Sequence, residues 1–349
     1  MRELKIGNKM VGDNHPTFII AEAGINHQGD VKIAKRLIEK AYECGADAVK
    51  FQKRKVSRIL TQEGLEMPYD NRNSFGKTYG EHKRALELSE ADYRELKTFA
   101  DEIGVLFCAS GWDEESIDFL DNLGVEFFKM ASADLTNIPL LEHTAKKGKP
   151  MIISTGMAGM ADVELAVKIL QKHTVKFAIL QCTSTYPSQF GEINLRVLDA
   201  FREKFPQAVL GYSGHELGIA IPIGAVAMGA RIVERHFTLD RTMKGGDHSA
   251  SLEPGGFSKM VRDIRHLEEA LGKPEKRIQE SEIPVFRKLA KSIVSACEIS
   301  KGTKITREML TTKGPGTGIS PAKIDEIIGK TAVCDISTDV VLHEKMLQK

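Results

Sequence analysis

The stretches Lys176-Phe-Ala-Ile-Leu-Gln-Cys182 and Ala208-Val-Leu-Gly-Tyr-Ser213 decide the fold class of this 349-residue chain. Each is a short, mostly apolar run, and residues 194–205 between them carry apolar side chains at three- and four-residue spacing. Short apolar runs of this kind are typical of strands buried on both faces, and the intervening spacing indicates an amphipathic helix. The pattern predicts a strand–helix–strand unit in a parallel sheet covered by helices.

The same alternation continues along most of the chain. Helix-like segments include residues 30–44, 89–103 and 161–173. Eight units within about 255 residues fit an α/β fold of the (β/α)₈ TIM-barrel type, with a doubly wound open sheet as the alternative. The eight apolar runs are residues 17–22, 47–52, 105–110, 126–131, 150–155, 176–182, 208–213 and 231–237.

Composition changes after Gly272. We therefore expect a catalytic barrel over residues 1–272, a polar linker over 273–289 and a small β-rich domain over 290–349. Helical turns are expected in that domain around residues 307–310 and 321–328. Residues 53–88 contain no clear strand and follow the second one, so this insertion is predicted to lie on the catalytic face.

Charge and cysteine content exclude several classes of protein. Lys+Arg minus Asp+Glu is 49 − 48 = +1, which gives no electrostatic reason to expect nucleic acid or a membrane surface as partner. The apolar runs are strand-sized and too short to span a bilayer. Five cysteines without a C-x-x-C pair argue against a disulfide framework and favour a cytoplasmic location.

Polar residues end every predicted strand, where a barrel places its catalytic groups. Two lysines among several hydroxyls suggest an anionic, phosphorylated ligand, although a lone lysine or serine at such a position is often a salt-bridge partner or a helix cap. The strand-end residues are Glu22, Lys50, Gln52, Ser110, Lys129, Ser132, Ser154, Ser184, Tyr186, Ser213, His215, Glu234 and His236.

His215 and His236 follow consecutive strands and are expected to be neighbours across the barrel mouth. Two neutral imidazoles can hold a divalent ion and leave room for water and substrate. Each histidine alone is more often a satisfied polar residue, and only their adjacency favours a metal site. Glu22 closes the ring beside them, as a base, a ligand of sugar hydroxyls or half of a buried ion pair.

Seven ordered blocks resemble the sialic acid (nonulosonate) synthases. The resemblance covers essentially the whole chain, and the tail from about residue 290 is similar to the antifreeze-like (SAF) domain of those enzymes. The blocks are Phe18-Ile-Ile-Ala-Glu-Ala-Gly-Ile-Asn-His-Gln-Gly-Asp30, Ala48-Val-Lys-Phe-Gln52, Ile153-Ser-Thr-Gly-Met157, Gln181-Cys-Thr-Ser-Thr-Tyr-Pro187, Gly211-Tyr-Ser-Gly-His215, Glu234-Arg-His-Phe-Thr-Leu-Asp240 and Asp247-His-Ser-Ala-Ser-Leu-Glu-Pro254.

The resemblance implies condensation of phosphoenolpyruvate (PEP) with an N-acylmannosamine-type sugar. It also implies a divalent metal, Mn²⁺ or Mg²⁺, on His215 and His236, an acid/base role for Glu22, and a homodimer in which the SAF domain covers the partner's barrel. By motif match, Lys50, Ser110, Lys129, Ser132, Ser154 and Ser184 would hold PEP. Gln52, Tyr186 and Asp247 would face the sugar.

Two departures bear on the sugar. Many bacterial members have Lys-Arg-Pro-Gly in the tail, with the arginine directed at the N-acyl group, whereas this chain has Lys313-Gly-Pro-Gly316. The insertion Ser74-Phe-Gly-Lys-Thr-Tyr-Gly-Glu-His-Lys-Arg84 resembles the vertebrate-type enzymes, which accept a sugar 6-phosphate. It suggests Lys77, His82, Lys83 and Arg84 as ligands of that phosphate, on N-acetylmannosamine 6-phosphate or mannose 6-phosphate.

Three other functions compete with this interpretation. A PEP-dependent octulosonate or heptulosonate synthase would share the chemistry but lack the tail domain and the block at residues 181–187. A metal-dependent barrel hydrolase would use paired histidines without needing two lysines. A non-catalytic carbohydrate-binding protein would not need the full set of strand-end groups.

Overall fold

The computed structural model describes residues 2–349. It divides into two units, one ending at Gly272 and the other comprising Lys273–Lys349. Among the described residues, no helix combines the length and apolar character needed to cross a membrane.

The first unit is built on eight parallel strands, in agreement with the prediction of a TIM-type barrel. They are hydrogen-bonded in the order β5-β4-β3-β10-β9-β8-β7-β6, and β5 and β6 at the two ends of that order lie side by side. The strands are β3 (Phe18–Gly24), β4 (Ala48–Lys53), β5 (Leu106–Gly111), β6 (Phe128–Met130), β7 (Met151–Ser154), β8 (Phe177–Cys182), β9 (Val209–Gly214) and β10 (Ile232–His236), after an N-terminal pair β1 and β2 described below.

Helices connect the strands and cover the outside of the sheet. Their starts follow local capping chemistry: the Asp30 side chain accepts hydrogen bonds from the Lys32 and Ile33 backbone N–H groups and so begins the first helix. The connecting helices are α1 (Val31–Glu43), α5 (Glu90–Ile103), α6 (Glu114–Leu123), α7 (Ile138–Ala145), α8 (Met160–Lys172), α9 (Val197–Lys204), α10 (Ala220–Ala227) and α11 (Pro254–Leu271), with α2–α4 in the insertion described below.

Alternation along each strand delivers polar groups to the barrel mouth. Ile19 and Ala21 of β3 pack outward against the helices, whereas Phe18 and Ile20 belong to the cluster inside the barrel. Since side chains two apart share a face, Glu22 continues the inward series. The same parity applies to Ala48 and Lys50 of β4 and to Ile232 and Glu234 of β10.

An N-terminal hairpin, which the sequence analysis missed, packs into the inner core. β1 (Glu3–Ile6) pairs antiparallel with β2 (Lys9–Gly12). Leu4, Ile6 and Val11 join the cluster that fills the barrel interior. A signal was present: Leu4 and Ile6 alternate with polar residues before Gly7-Asn8, a two-residue turn sequence, and apolar Met10 and Val11 follow it.

The insertion after β4 folds into three short helices instead of an irregular loop. These are α2 (Val56–Ile59), α3 (Gln62–Glu66) and α4 (Tyr79–Ala85). Thr78 and Glu81 form a reciprocal capping box at the start of α4. The spacing Thr-x-x-Glu could have revealed this helix from the sequence.

The second unit has its own small core of aliphatic side chains, including Ile293, Ile299 and Ile305. Its short strands pair antiparallel, and the expected helical turns are present. Within the range assigned to the linker, residues 280–289 are helical. The elements are α12 (Ile283–Leu289), β11 (Ser292–Ser295) paired with β12 (Leu310–Lys313), α13 (Ile324–Ile327), and β13 (Thr331–Ala332) paired with β14 (Leu347–Gln348).

Candidate active site

A cavity of about 290 Å³ lies at the carboxyl ends of the barrel strands. It gathers most of the residues that the sequence predicted for the site. Lys77 and Arg84 are not among its lining residues. The predicted residues that line it are Glu22, Lys50, Gln52, Lys83, Ser110, Lys129, Ser132, Ser154, Ser184, Tyr186, His215, His236 and Asp247.

Buried charges of alternating sign cross the floor of the cavity. Lys50 Nζ lies 2.6 Å from Glu22 Oε2 and 3.8 Å from Glu234 Oε1. Glu234 Oε1 lies 3.6 Å from Lys129 Nζ, which donates a hydrogen bond of 2.7 Å to Ser154 Oγ. Two ammonium groups and two carboxylates therefore compensate one another in a site from which water is largely excluded.

Burial and pairing move the pKa values of these groups in different directions. Burial raises the pKa of Glu22, and Lys50 only partly opposes this. Burial also disfavours ionisation of Glu234, but Lys129 and Lys50 outweigh it and lower its pKa. Burial lowers the pKa of Lys129. Two carboxyl groups whose environments separate their pKa values are suited to different chemical tasks, Glu22 to proton transfer and Glu234 to fixed negative charge.

Several hydroxyl groups surround the backbone of Gly156, just after β7. The Gly156 N–H donates a hydrogen bond of 3.0 Å to Ser132 Oγ. A Cβ at this position would lie 2.1 Å from Ser184 Oγ and 2.8 Å from Ser132 Oγ. Hydroxyls and an adjacent lysine are groups suited to phosphate or carboxylate oxygens.

Gly156→Ala should therefore weaken binding of the anionic ligand. The new methyl group displaces the Ser132 and Ser184 hydroxyls, and losing one or two hydrogen bonds to a charged group corresponds to a rise of about 10- to 100-fold in its KM. Steady-state kinetics measure the effect. Gly159→Ala is the matched control because the nearest atom to its Cβ would be 3.7 Å away. An unchanged KM in Gly156→Ala would show that these hydroxyls do not bind the anion.

The two histidines are neighbours in the lining of the cavity. Their ring centroids are 5.2 Å apart. His215 Nδ1 lies 2.7 Å from the Thr183 carbonyl oxygen, which can only accept, so the proton sits on Nδ1. Burial acts to lower the pKa of His215, but its contacts with Cys182 and Thr183 outweigh burial and raise it. Burial lowers the pKa of His236 to about 3, so its ring is neutral, and its buried Nδ1 has no hydrogen-bond partner in the described structure.

These observations fit a divalent metal held by two imidazoles. Residues 2–349 contain no cluster of three or more His, Cys, Asp or Glu side chains arranged to hold an ion. An ion at this place would take His215 and His236 as its protein ligands, with water and substrate completing the coordination. Asp247 Oδ2, at 3.7 Å from His236 Nδ1, is the nearest acidic group to that ring nitrogen.

The outer part of the cavity is formed by residues suited to a polyhydroxyl ligand. The Tyr186 ring packs on His215 with centroids 4.1 Å apart and is half exposed. Gln52 Nε2 donates to Glu22 Oε1 at 3.0 Å. Gly24, with φ +52°, brings the backbone close to Glu22, Gln52 and Asp247, since a Cβ there would lie within 3.4 Å of all three.

Only one of the three insertion cations predicted as phosphate ligands reaches the cavity. Lys83 lines it, with Nζ 5.0 Å from the centre of the Tyr79 ring. Lys77 and Arg84 are exposed and lie outside its lining. Burial and the nearby Arg54 lower the pKa of Lys83 to about 8.

Some lining residues were not assigned a role from the sequence. Glu234 and Ser213 were noted as strand-end groups, but their pairing at 3.2 Å and the position of Glu234 between two lysines depend on closure of the barrel. Trp112 and Cys182 also line the cavity. Trp112 directly follows β5, and that position was a usable signal.

Comparisons with known proteins identify the family of this chain. The model of the NeuB family matches residues 37–276, and the SAF domain model matches residues 290–348. The chain belongs to the NeuB family. The predicted resemblance to the sialic acid synthases is confirmed, as is the expectation of an enzyme of this kind.

Two curated relatives of this NeuB-family chain span nearly its full length. The N-acetylneuraminate-9-phosphate synthase of Homo sapiens is 48% identical over 340 residues, which are 97% of this chain and 95% of that protein. The N,N'-diacetyllegionaminic acid synthase of Legionella pneumophila is 39% identical over 342 residues, 96% of each chain. A solved sialic acid synthetase from Leptospira borgpetersenii is 35% identical with a TM-score of 0.72, covering 81% of this chain and 95% of that one.

Proposed function

We propose that this chain condenses PEP with N-acetylmannosamine 6-phosphate and water, giving N-acetylneuraminate 9-phosphate and inorganic phosphate. The observation that carries the proposal is a single cavity lined by two buried lysines, several serine hydroxyls and two neighbouring histidines. The 48% identity to a synthase of this name supports the 6-phosphorylated sugar.

The part of the cavity lined by lysines and serine hydroxyls suits PEP, which is an anion. Lys129, Ser132, Ser154 and Ser184 supply one charge and three hydroxyls at the corner formed by Gly156. Lys50, which Glu22 and Glu234 hold charged despite burial, lies beside Ser110 Oγ at 3.3 Å. These groups bind and orient the phosphate and carboxylate of PEP, with its methylene carbon toward the histidines.

In the proposed reaction, the sugar aldehyde binds between the two histidines and Glu22. His215 and His236 would hold a divalent ion, Mn²⁺ or Mg²⁺, which would supply Lewis acidity at the aldehyde. C3 of PEP forms the new bond to the aldehyde carbon while Glu22 donates a proton to the aldehyde oxygen, a role for which its raised pKa is suited. Glu22 then takes a proton from the water that adds to the reacting carbon. Water adds at C2 of the former PEP, and phosphate leaves by cleavage of the C–O bond.

Lys83 is the residue proposed to contact the 6-phosphate of the sugar. It is the insertion cation that lines the cavity, and its ammonium is partly desolvated, which strengthens its attraction to a dianion. Lys77 and Arg84, which the sequence grouped with it, are left out of this proposal because they lie outside the lining.

Lys83→Met should raise the KM for the 6-phosphate by about 10- to 100-fold, since a charge-assisted contact is lost, and change the KM for free N-acetylmannosamine by less than about threefold. In the unmodified chain, kcat/KM for the 6-phosphate should also fall above pH 8 as Lys83 loses its proton, with no matching fall for the free sugar. The matched control is the double variant Lys77→Met/Arg84→Met. Equal effects of Lys83→Met on both sugars would contradict the assignment.

The tail of the chain bears on recognition of the N-acyl group. Gly314 stands where many bacterial members have an arginine, and the neighbouring Lys313 Nζ is paired with Asp339 Oδ1 at 2.5 Å. Mannose 6-phosphate, which lacks the acyl group, is therefore the second candidate substrate.

Phosphate release from PEP with Mn²⁺ present tests the function. N-acetylmannosamine, its 6-phosphate and mannose 6-phosphate are compared by kcat/KM. A preference for N-acetylmannosamine 6-phosphate supports the proposal, and a preference for mannose 6-phosphate supports the second candidate. A preference for free N-acetylmannosamine would contradict the role proposed for Lys83. The absence of phosphate release with all three sugars would contradict both proposed substrates.

We also propose that the enzyme works in the cytoplasm as a homodimer with exchanged SAF domains. The proposed location follows from the five scattered cysteines, which form no C-x-x-C pair and are free thiols. In the second unit, Ile283, Val285, Phe286 and Leu289 expose large apolar side chains, which supports a partner surface there.

A further inference from the structure

A buried arginine outside the predicted site is connected to it through Gln52. Arg54 directly follows β4 and is only 2% exposed. Its NH2 donates a hydrogen bond of 2.8 Å to Gln52 Oε1, and its Nε lies 2.5 Å from Glu87 Oε1. The guanidinium carbon is 5.2 Å from the centre of the Trp112 ring, so the cation is held on three sides.

This contact determines which way the Gln52 amide faces. A guanidinium can only donate hydrogen bonds, so the oxygen of Gln52 must face Arg54 and the NH₂ group must face away. The NH₂ group then donates to Glu22 Oε1 at 3.0 Å. Reversing the amide would place donor against donor at Arg54 and oxygen against carboxylate at Glu22.

The orientation of Gln52 in turn fixes Glu22. One carboxylate oxygen of Glu22 accepts from Gln52, and the other lies 2.6 Å from Lys50 Nζ. With a donor on each oxygen, the carboxyl group cannot rotate freely. The second N–H of Gln52 is also turned away from Arg54, which makes it available to a hydroxyl of the sugar.

We propose that Arg54 is a positioning residue that acts through Gln52. It sets the amide orientation, and thereby the position of Glu22 and the donor presented to the sugar. The inference rests on the proposed synthase function. It assigns Arg54 no contact with substrate, and it predicts that removal of Arg54 impairs the sugar end of the reaction while leaving PEP binding intact.

A structural role for Arg54 makes a different prediction. The ion pair with Glu87 joins the end of the insertion to β4, and its loss alone could lower stability and activity together. In that case the damage would not depend on Gln52. A double-mutant cycle separates the two roles.

The cycle uses Arg54→Met, Gln52→Leu and the double variant, each loaded with Mn²⁺. Arg54→Met should lower kcat/KM for the sugar by about 10- to 50-fold, the loss of one oriented charge-assisted contact, with the KM for PEP within about twofold. In the Gln52→Leu background, Arg54→Met should lower kcat/KM for the sugar by less than about threefold. An equal fall in kcat/KM in both backgrounds would overturn the proposal. Arg58→Met is the matched control, since Arg58 is an exposed arginine of the same insertion paired with Glu115.

Two further measurements cover folding and function. If Arg54→Met does not fold, Arg54→Lys replaces it in the cycle. Lysine keeps the positive charge but lacks the planar guanidinium group that donates in a fixed geometry. Crystal structures of the variant and the unmodified chain give a result that needs no turnover: unmoved Gln52 and Glu22 side chains in the variant overturn the proposal. Failure of the unmodified chain to release phosphate would count against the proposed function alone.

Discussion

Replacing Lys129 with methionine should lower kcat/KM for PEP by about a thousandfold, the effect of losing about 4 kcal/mol of interaction with the reacting phosphate. Lys129 is 2% exposed, donates to Ser154 Oγ at 2.7 Å and lies 3.6 Å from Glu234. Its removal takes the cation from the phosphate corner and leaves Glu234 with Lys50 as its nearest cation. Phosphate release measured over a range of PEP concentrations gives the loss.

The control for Lys129 is Lys168→Met, the same substitution at an exposed position of α8. It should leave kcat/KM within about twofold, as surface substitutions usually do. Circular dichroism and the thermal midpoint show whether Lys129→Met still folds. If Lys129→Met folds and its kcat/KM for PEP is unchanged, PEP does not bind beside Lys129.

The second large effect is expected at the histidine pair. His236→Ala should abolish metal-dependent turnover, because one of two imidazole ligands is lost. It should also weaken Mn²⁺ binding at least about tenfold, read directly from the electron paramagnetic resonance signal of free Mn²⁺, so the result does not depend on activity. His266→Ala, on the exposed face of α11, should bind Mn²⁺ like the unmodified chain. Undiminished Mn²⁺ affinity in His236→Ala would rule out the proposed ligands.

Much of the barrel site could be predicted because side chains alternate between the two faces of a strand. Glu22, Lys50 and Ser154 each lie two residues beyond an inward-facing apolar residue, so locating the strand also locates the side chain. Contacts between non-adjacent strands could not be predicted in this way. The position of Glu234 between Lys50 and Lys129 is set by the closed barrel, which no local pattern encodes.

The insertion shows a different limit of sequence reasoning. Its basic residues are close in sequence, but Lys83 and Arg84 are consecutive on α4, and consecutive helical side chains point about 100° apart. Only Lys83 faces the cavity. Arg54 was missed for a related reason, since its role depends on Glu87 and Trp112, which later segments bring to it.

The hairpin β1–β2 has a consequence for how the chain reaches its native state during synthesis. Leu4, Ile6 and Val11 leave the ribosome long before Val209 and Ile232, with which they share the inner core. Until those late strands emerge, the early apolar side chains have no complete binding surface, and contacts this distant in sequence form slowly. Translation products that stop before β9 should therefore be prone to aggregation and depend on chaperones.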